Sequence, residues 1–330
     1  MIRMRFLAPV ALAWALSAFL ATGPALAEPT LVRVNTFPTA RSLPFVAGQT
    51  KGIFAKHGLK VEVTFTENSQ QQRDGLAAGR TDIVHSALDN AVAMIEVARK
   101  DVAIVMGGDG GTNEFYVQPY IKSFADLRGH SIVVDAPDTA YALLAKKILL
   151  NNGLKEGVDY TVKPIGRGSM RLQAMADDKD NAAAVLNLPY SLQAEKMGMK
   201  SLGRTVDLLG PYQAGGAFVM RAWARDNAET LERYLAAYVE SLRWALNPAN
   251  KAEAIAMLVQ HLKTPPDLAE RTYKLIADPS FGFAPDAKLH HVGFRNMLTL
   301  RTEIEGGPQP SPERYLDLSY YERALKRLMR

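Results

Sequence analysis

From Leu31 onward the chain alternates short apolar runs with longer stretches of helical period. Leu31 to Asn35 switches apolar and polar residue by residue, which predicts a strand, and the Pro-containing segment 36–44 after it predicts a loop. A helix is expected from Phe45 to His57, stopped by Gly58, then a strand from Leu59 to Thr66. Asn68-Ser69 has the chemistry of an N-cap for a helix over Gln70 to Ala78. Thr81 to His85 reads as a strand, Ser86 to Lys100 as a helix, and Val102 to Met106 as a buried strand running into a flexible glycine-rich loop at 107–111.

The rhythm then restarts. Strands are predicted at Gly129 to Asp135, Tyr160 to Ile165 and Ala182 to Leu186, alternating with helices at Ala140 to Asn151, Ser169 to Ala176 and Tyr190 to Met197. Asp138-Thr139 is placed to cap the first of these helices, and Asn152-Gly153 to close it. Ala217 to Arg221 reads as a strand returning to the first unit, and the remainder is mainly helical. Strands alternating with helices of this length imply an α/β fold with parallel sheets covered on both faces. At 330 residues one core has usually stopped growing, so two lobes are expected.

The first 27 residues stand apart. Arg3 and Arg5 precede an apolar run from Phe6 to Leu20, and Ala25-Leu26-Ala27 supplies the small-x-small motif that signal peptidase reads before Glu28. The run is short for a bilayer, which needs about 20 residues. Export with cleavage after Ala27 is therefore expected over a membrane anchor. No cysteine follows the run to carry a lipid, which points to a protein free in a periplasm.

Composition removes several classes of chemistry. Without Cys there is no disulfide, thiolate zinc site, cysteine nucleophile or iron–sulfur cluster. The net charge of +5 is spread along the chain, so no nucleic-acid partner is expected. None of the six histidines pairs with another at helical spacing, and Asp177-Asp178-Lys179-Asp180 lacks the glycine and glutamate of a calcium loop, so no metal is expected. The glycines at 107–111 lack the Gly-Lys-Ser/Thr of a phosphate cradle, and Gly166-Arg167-Gly168-Ser169 lacks the second glycine of a nucleophile elbow.

What recurs is the chemistry of the strand ends: Phe37-Pro38-Thr39, Ser69-Gln70-Gln71, Ser86 to Asn90, Asp135 to Tyr141 and Asn187 to Tyr190. In open parallel sheets the carboxyl ends of strands face the ligand crevice, where helix N-termini present free N–H donors. Hydroxyls, amides and aromatics there suit reversible recognition and supply no evident acid, base and nucleophile set.

The segment KGIFAKHGLKVEV (51–63), the turn GLAAGRTDI (75–83) and FADLRG followed by SIVVD (124–135) resemble the periplasmic substrate-binding proteins of the nitrate/sulfonate/taurine and pyrimidine-precursor type. That resemblance spans most of residues 30 to 260. It implies a two-lobed type II periplasmic binding fold with the ligand cleft between lobes: lobe 1 from 28–117 and 219–330, and lobe 2 inserted at 118–218. The crossings would lie near Gln118 and Phe218, which would put Trp223 just after the return crossing. Implied ligand contacts are Phe37, Thr39, Ser69, Gln70, Ser86 and Asn90 from lobe 1, with Asp138, Thr139, Tyr141, Ser169, Asn187 and Tyr190 from lobe 2. Phe37, Tyr141 and Tyr190 would sandwich a flat part of the ligand. Arg41 and Arg167 are the nearest partners for an anionic group, although a plain surface role is expected of each.

The resemblance further implies the solute-binding component of an ATP-binding-cassette importer, acting as a monomer, without cofactor, on an inner-membrane permease and its cytoplasmic ATPase. The solute would be a sulfonate, a nitrogen-containing or an aromatic compound. Asp89, Asp109, Asp135 and Asp138 make the expected mouth more acidic than a simple oxyanion binder needs. Two rivals are an exported ligand-carrier that docks on a sensor and a pyrimidine-synthesis-like enzyme. The enzyme is disfavoured because those relatives carry a cysteine-rich segment.

Overall fold

A computed structural model describes residues 28–329, and the expected signal segment 1–27 lies outside them. Two five-stranded sheets organise the chain. The first contains β1 (Thr30–Thr36), β2 (Leu59–Phe65), β3 (Ile83–Ala87), β4 (Val102–Asp109) and, last in sequence, β10 (Gly215–Met220), in the order β2-β1-β3-β10-β4. The second contains β5 (Glu114–Val117), β6 (Ser131–Val134), β7 (Thr161–Pro164), β8 (Asn181–Leu186) and β9 (Lys200–Arg204), in the order β7-β6-β8-β5-β9. β1 runs parallel to β2 and β3, and β6 parallel to β7 and β8, while β10 and β5 run antiparallel to their neighbours.

This topology moves the expected boundaries. β5 pairs with β8 from Glu114 opposite Leu186 to Val117 opposite Ala183, so residues 114–117 belong to the second sheet. β10 pairs with β3 from Gly215 opposite Ala87, so 215–218 belong to the first. The connections between the sheets are accordingly 110–113 and 205–214, a few residues before each expected crossing. Four residues of β5, and the polar edge strand β9, carry too little periodicity to read from sequence. Trp223 lies beyond the far end of β10 from the connection, away from the hinge.

Two local corrections have clear causes. The helix expected over Phe45 to His57 is two, Leu43–Thr50 and Ile53–Lys56, broken where Gly52 takes φ +67°. The glycine-rich run is no flexible loop at its start: Gly107, Gly108 and Asp109 are buried strand residues of β4. A Cβ on Gly107 would lie 2.5 Å from the backbone nitrogen of Leu289, so that glycine serves close packing.

The first sheet is covered on both faces. Leu43, Phe45, Phe54, Tyr234 and Leu235 fill one side, under the long helix Ala228–Leu246. Phe218, Phe294, Leu298 and Tyr315 fill the other, beneath helix His291–Glu305. Each fully buried large apolar side chain contributes about 1.5–3 kcal/mol. Leu143 and Leu144 of helix Ala140–Asn151 join this second cluster although their helix flanks the second sheet. The second sheet has its own cores, one around Phe115, Ile132 and Leu149 and another around Tyr116, Leu172 and Met175.

Candidate functional site

The carboxyl ends of β1, β3, β6 and β8 converge between the sheets, with the start of β10 beside them. They frame a cavity lined from both lobes.

The first-lobe wall is mainly neutral. Thr36 ends β1 with Phe37 and Thr39 just after it, Ser86 and Ala87 end β3, and Ser69 opens helix Ser69–Ala77. Asn68 caps that helix, accepting from the Gln71 amide at 2.8 Å, as its position in the sequence predicts. Asn90 lies behind them, only 2% exposed, and its amide nitrogen donates to the hydroxyls of Ser69 and Ser86, each at 3.1 Å. Its carbonyl oxygen Oδ1 has no partner. His85 is held by Tyr234 at 2.8 Å and edge-on against Phe45, and burial pushes its imidazole down to about 3. It is a neutral ring at any physiological pH.

Arg41 is the charged member of this wall. It donates to Asp109 at 2.7 Å and, across the cleft, to the Tyr141 hydroxyl at 2.6 Å, while its Nε has no partner. The surface role expected for it is therefore wrong. Burial opposes its charge, and Asp109 and Tyr141 more than offset that, holding the guanidinium above its ordinary value.

The second-lobe wall is built from helix starts and charge. Ala140 and Gly168 are the first residues of helices Ala140–Asn151 and Gly168–Asp177, where backbone amides have no acceptor within the helix. The Tyr190 ring lies where a Cβ on Gly168 would be, 2.6 Å away, so only glycine lets this helix start approach so closely. Arg171 sits one turn further on, 4% exposed, its guanidinium donating to the carbonyls of Gly166 at 2.7 Å and Val185 at 3.3 Å. Burial lowers its pKa, partly offset by Asp135. Asp135 in turn accepts from the Ser69 amide of the other lobe at 3.0 Å.

Further bonds join the lobes around this cavity. Arg167 pairs with Glu67 at 2.7 Å and Arg73 with Asp138 at 3.1 Å, and the Tyr190 hydroxyl donates to the Pro38 carbonyl at 2.6 Å. The lobes thus face each other in a closed arrangement.

Of the twelve residues implied by sequence, Phe37, Thr39, Ser69, Ser86, Asn90, Thr139, Tyr141 and Asn187 line the cavity. The other four do not. Gln70 is exposed and bonded to Asp74, and Asp138 is occupied by Arg73. Ser169 accepts from Arg167, and Tyr190 packs behind Gly168 rather than beside Phe37 in a sandwich. Thr139 does stand at the N-cap, but its hydroxyl donates to Ala136 instead of capping. The acidic mouth is also corrected: Asp89 is bound to Arg301, Asp109 to Arg41 and Asp138 to Arg73. Arg171 and Asp135 also line the cavity; sequence placed Asp135 only at a strand end and the acidic mouth and did not single out Arg171. Arg171 left a signal, since it shares with Gly168, Leu172 and Met175 the buried i, i+3, i+4, i+7 face of its helix, where an arginine has no ordinary place.

Two α/β lobes closing over a cleft at their strand ends are the periplasmic binding protein fold. Residues 25–259, more than half of the chain, match the model of the NMT1-like family, and the chain belongs to that family. No curated protein matches it. Among solved structures, the periplasmic nitrate-binding protein NrtA from Synechocystis superposes with TM-score 0.74 at 16% identity, covering 91% of this chain and 89% of that one. The alkanesulfonate-binding protein SsuA from Xanthomonas axonopodis pv. citri, bound to MOPS, gives TM-score 0.70 at 18% identity over 89% and 98%. The desulfurization enzyme DszB gives 0.63 at 14% identity over 91% and 99%, so the fold houses an enzyme as well as binding proteins.

Proposed function

We propose that this protein is the solute-binding component of an ATP-binding-cassette importer, that it captures a small organic anion between its lobes in the periplasm, and that it presents the closed form to a membrane permease with its ATPase. The observation that carries this reading is the convergence of the helix starts at Ala140 and Gly168 with the buried Arg171 on one cavity that the first lobe closes from the other side. Helix N-termini and a desolvated guanidinium favour negative charge. Ligand contacts are assigned to Phe37, Thr39, Ser69, Ser86, Asn90, Thr139, Tyr141 and Asn187, joined by Arg41, Asp135 and Arg171. With each lobe holding part of this set, ligand adds contacts to the closed form that the empty protein lacks.

Binding is favoured over catalysis by the state of the polar groups. The hydroxyls of Ser69 and Ser86 are tied to Asn90, and His85, held neutral with a pKa near 3, is a poor general base. The test is a thermal-shift screen of the mature protein against sulfonates, carboxylates, nitrogen oxyanions, pyrimidines and amines. A true ligand at 100 times its dissociation constant stabilises by about 2.7 kcal/mol. Recovery of the ligand chemically unchanged is expected. Its conversion to a new product would replace the carrier by an enzyme.

A further inference from the structure

The ions around the cavity do not all cancel in pairs. Arg41 is matched by Asp109 and Arg167 by Glu67. Arg171 and Asp135 are both less than a tenth exposed, and among the described residues neither makes a direct ion pair: Arg171 gives its hydrogen bonds to carbonyls, both oxygens of Asp135 face the Ser69 amide, and the Asp135 charge offsets only part of what burial costs Arg171. The start of helix Ser69–Ala77, the first lobe's natural place for an anion, is therefore already filled by a carboxylate of the second lobe. What remains open to an anion is Arg171 with the starts of helices Ala140–Asn151 and Gly168–Asp177. Next to Ser69 stands Asn90, whose nitrogen is spent on two hydroxyls and whose buried Oδ1 is an acceptor without a donor. Leaving such an acceptor unmet costs about 1–3 kcal/mol.

Resting on the importer reading above, we infer that Asp135 is a specificity-determining residue: it bars a second negative charge from the cleft and, with Asn90, selects an organic monoanion that also carries an N–H or O–H donor. The anionic group faces Arg171, and the donor faces Asp135 and Asn90. A dianion would set a second charge against a buried carboxylate already seated on the best competing site.

Two scaffolds test this by calorimetry: benzoate, 3-aminobenzoate and isophthalate, and propanoate, 3-hydroxypropanoate and succinate. Within at least one scaffold the donor-bearing monoanion is expected to bind about tenfold or more tighter than the plain monoanion, and the dianion to bind weakest. Asp135→Asn keeps an acceptor for the Ser69 amide and removes the charge, so the dianion should gain at least about tenfold relative to its monoanion. A dianion that binds wild type as tightly as its monoanion overturns the inference, as does an unchanged ratio in Asp135→Asn. If that variant fails to fold, the wild-type ranking decides alone. Absence of binding by all six also overturns it. The importer reading fails separately, if the broader screen finds no solute that stabilises the protein or if the bound solute is converted to a new product.

Discussion

The two walls of the cleft solve recognition differently. The first lobe offers neutral hydroxyls and an amide, fixed by one another through Asn90 and backed by the aromatic group Phe45, His85, Tyr234 and Tyr238, and its one cation there, Arg41, is already paired with Asp109. The second lobe offers helix starts and two unpaired charges, Arg171 and Asp135, on a smaller sheet. A neutral wall fixed in place by hydrogen bonds defines shape and polarity, whereas charge held in low dielectric sets which sign of ligand is retained. Substitutions on the two walls should therefore divide differently between affinity and stability.

The largest effect is expected on the charged wall. Arg171→Met keeps much of the side-chain volume and removes the cation, so a charge-assisted contact worth about 1.5–3 kcal/mol is lost. Affinity for an anionic ligand should fall about ten- to 150-fold in titration calorimetry. The apo melting temperature should fall as well, since the Gly166 and Val185 carbonyls lose their donor and Asp135 loses a neighbouring cation, so affinity is compared under conditions where the variant is folded. Wild-type affinity in this variant would remove Arg171 from the site.

A smaller, two-sided effect is expected on the neutral wall. Asn90→Ala strips a partner from Ser69 and Ser86, both buried, so melting should fall by the equivalent of about 1–3 kcal/mol while affinity falls about five- to tenfold. If only affinity moves, the wall is not held together as described.

The smallest effect at neutral pH lies behind that wall. His85 has a folded pKa near 3, below its ordinary value near 6.5, so the unfolded chain binds a proton that the native state refuses in the window between them. Stability due to this residue is thus complete above about 6.5 and declines on acidification, by up to about 1.4 kcal/mol per pH unit. Melting curves from pH 7 to 4 should be less steep in His85→Gln than in wild type. Identical pH dependence would show that His85 titrates normally.

The fold was largely legible because its strands are apolar runs set between helices, as at Val102–Asp109 and Ser131–Val134. The strands that escaped, β5 and β9, are held by pairing partners distant in sequence, Glu114 opposite Leu186 and Val117 opposite Lys200, and no local pattern encodes such pairing. In the site, small polar residues at strand ends were readable because that position is dictated by sheet geometry. The charges were not, since sequence alone cannot tell a paired ion from an unpaired one. Asp138 and Asp135 sit three residues apart, yet one meets Arg73 and the other meets only an amide.

The placement of Leu143 and Leu144 among first-lobe side chains bears on what calorimetry should record. Lobe opening, under the importer reading, is expected to keep these leucines inside a shared apolar contact, with helix Ala140–Asn151 as the fulcrum, and to part the polar lip at Glu67–Arg167 and Arg73–Asp138. A motion that rocks on buried hydrocarbon and exchanges mainly ions with water changes little apolar exposure. Its heat-capacity change should then be small, close to what burial of the ligand alone supplies.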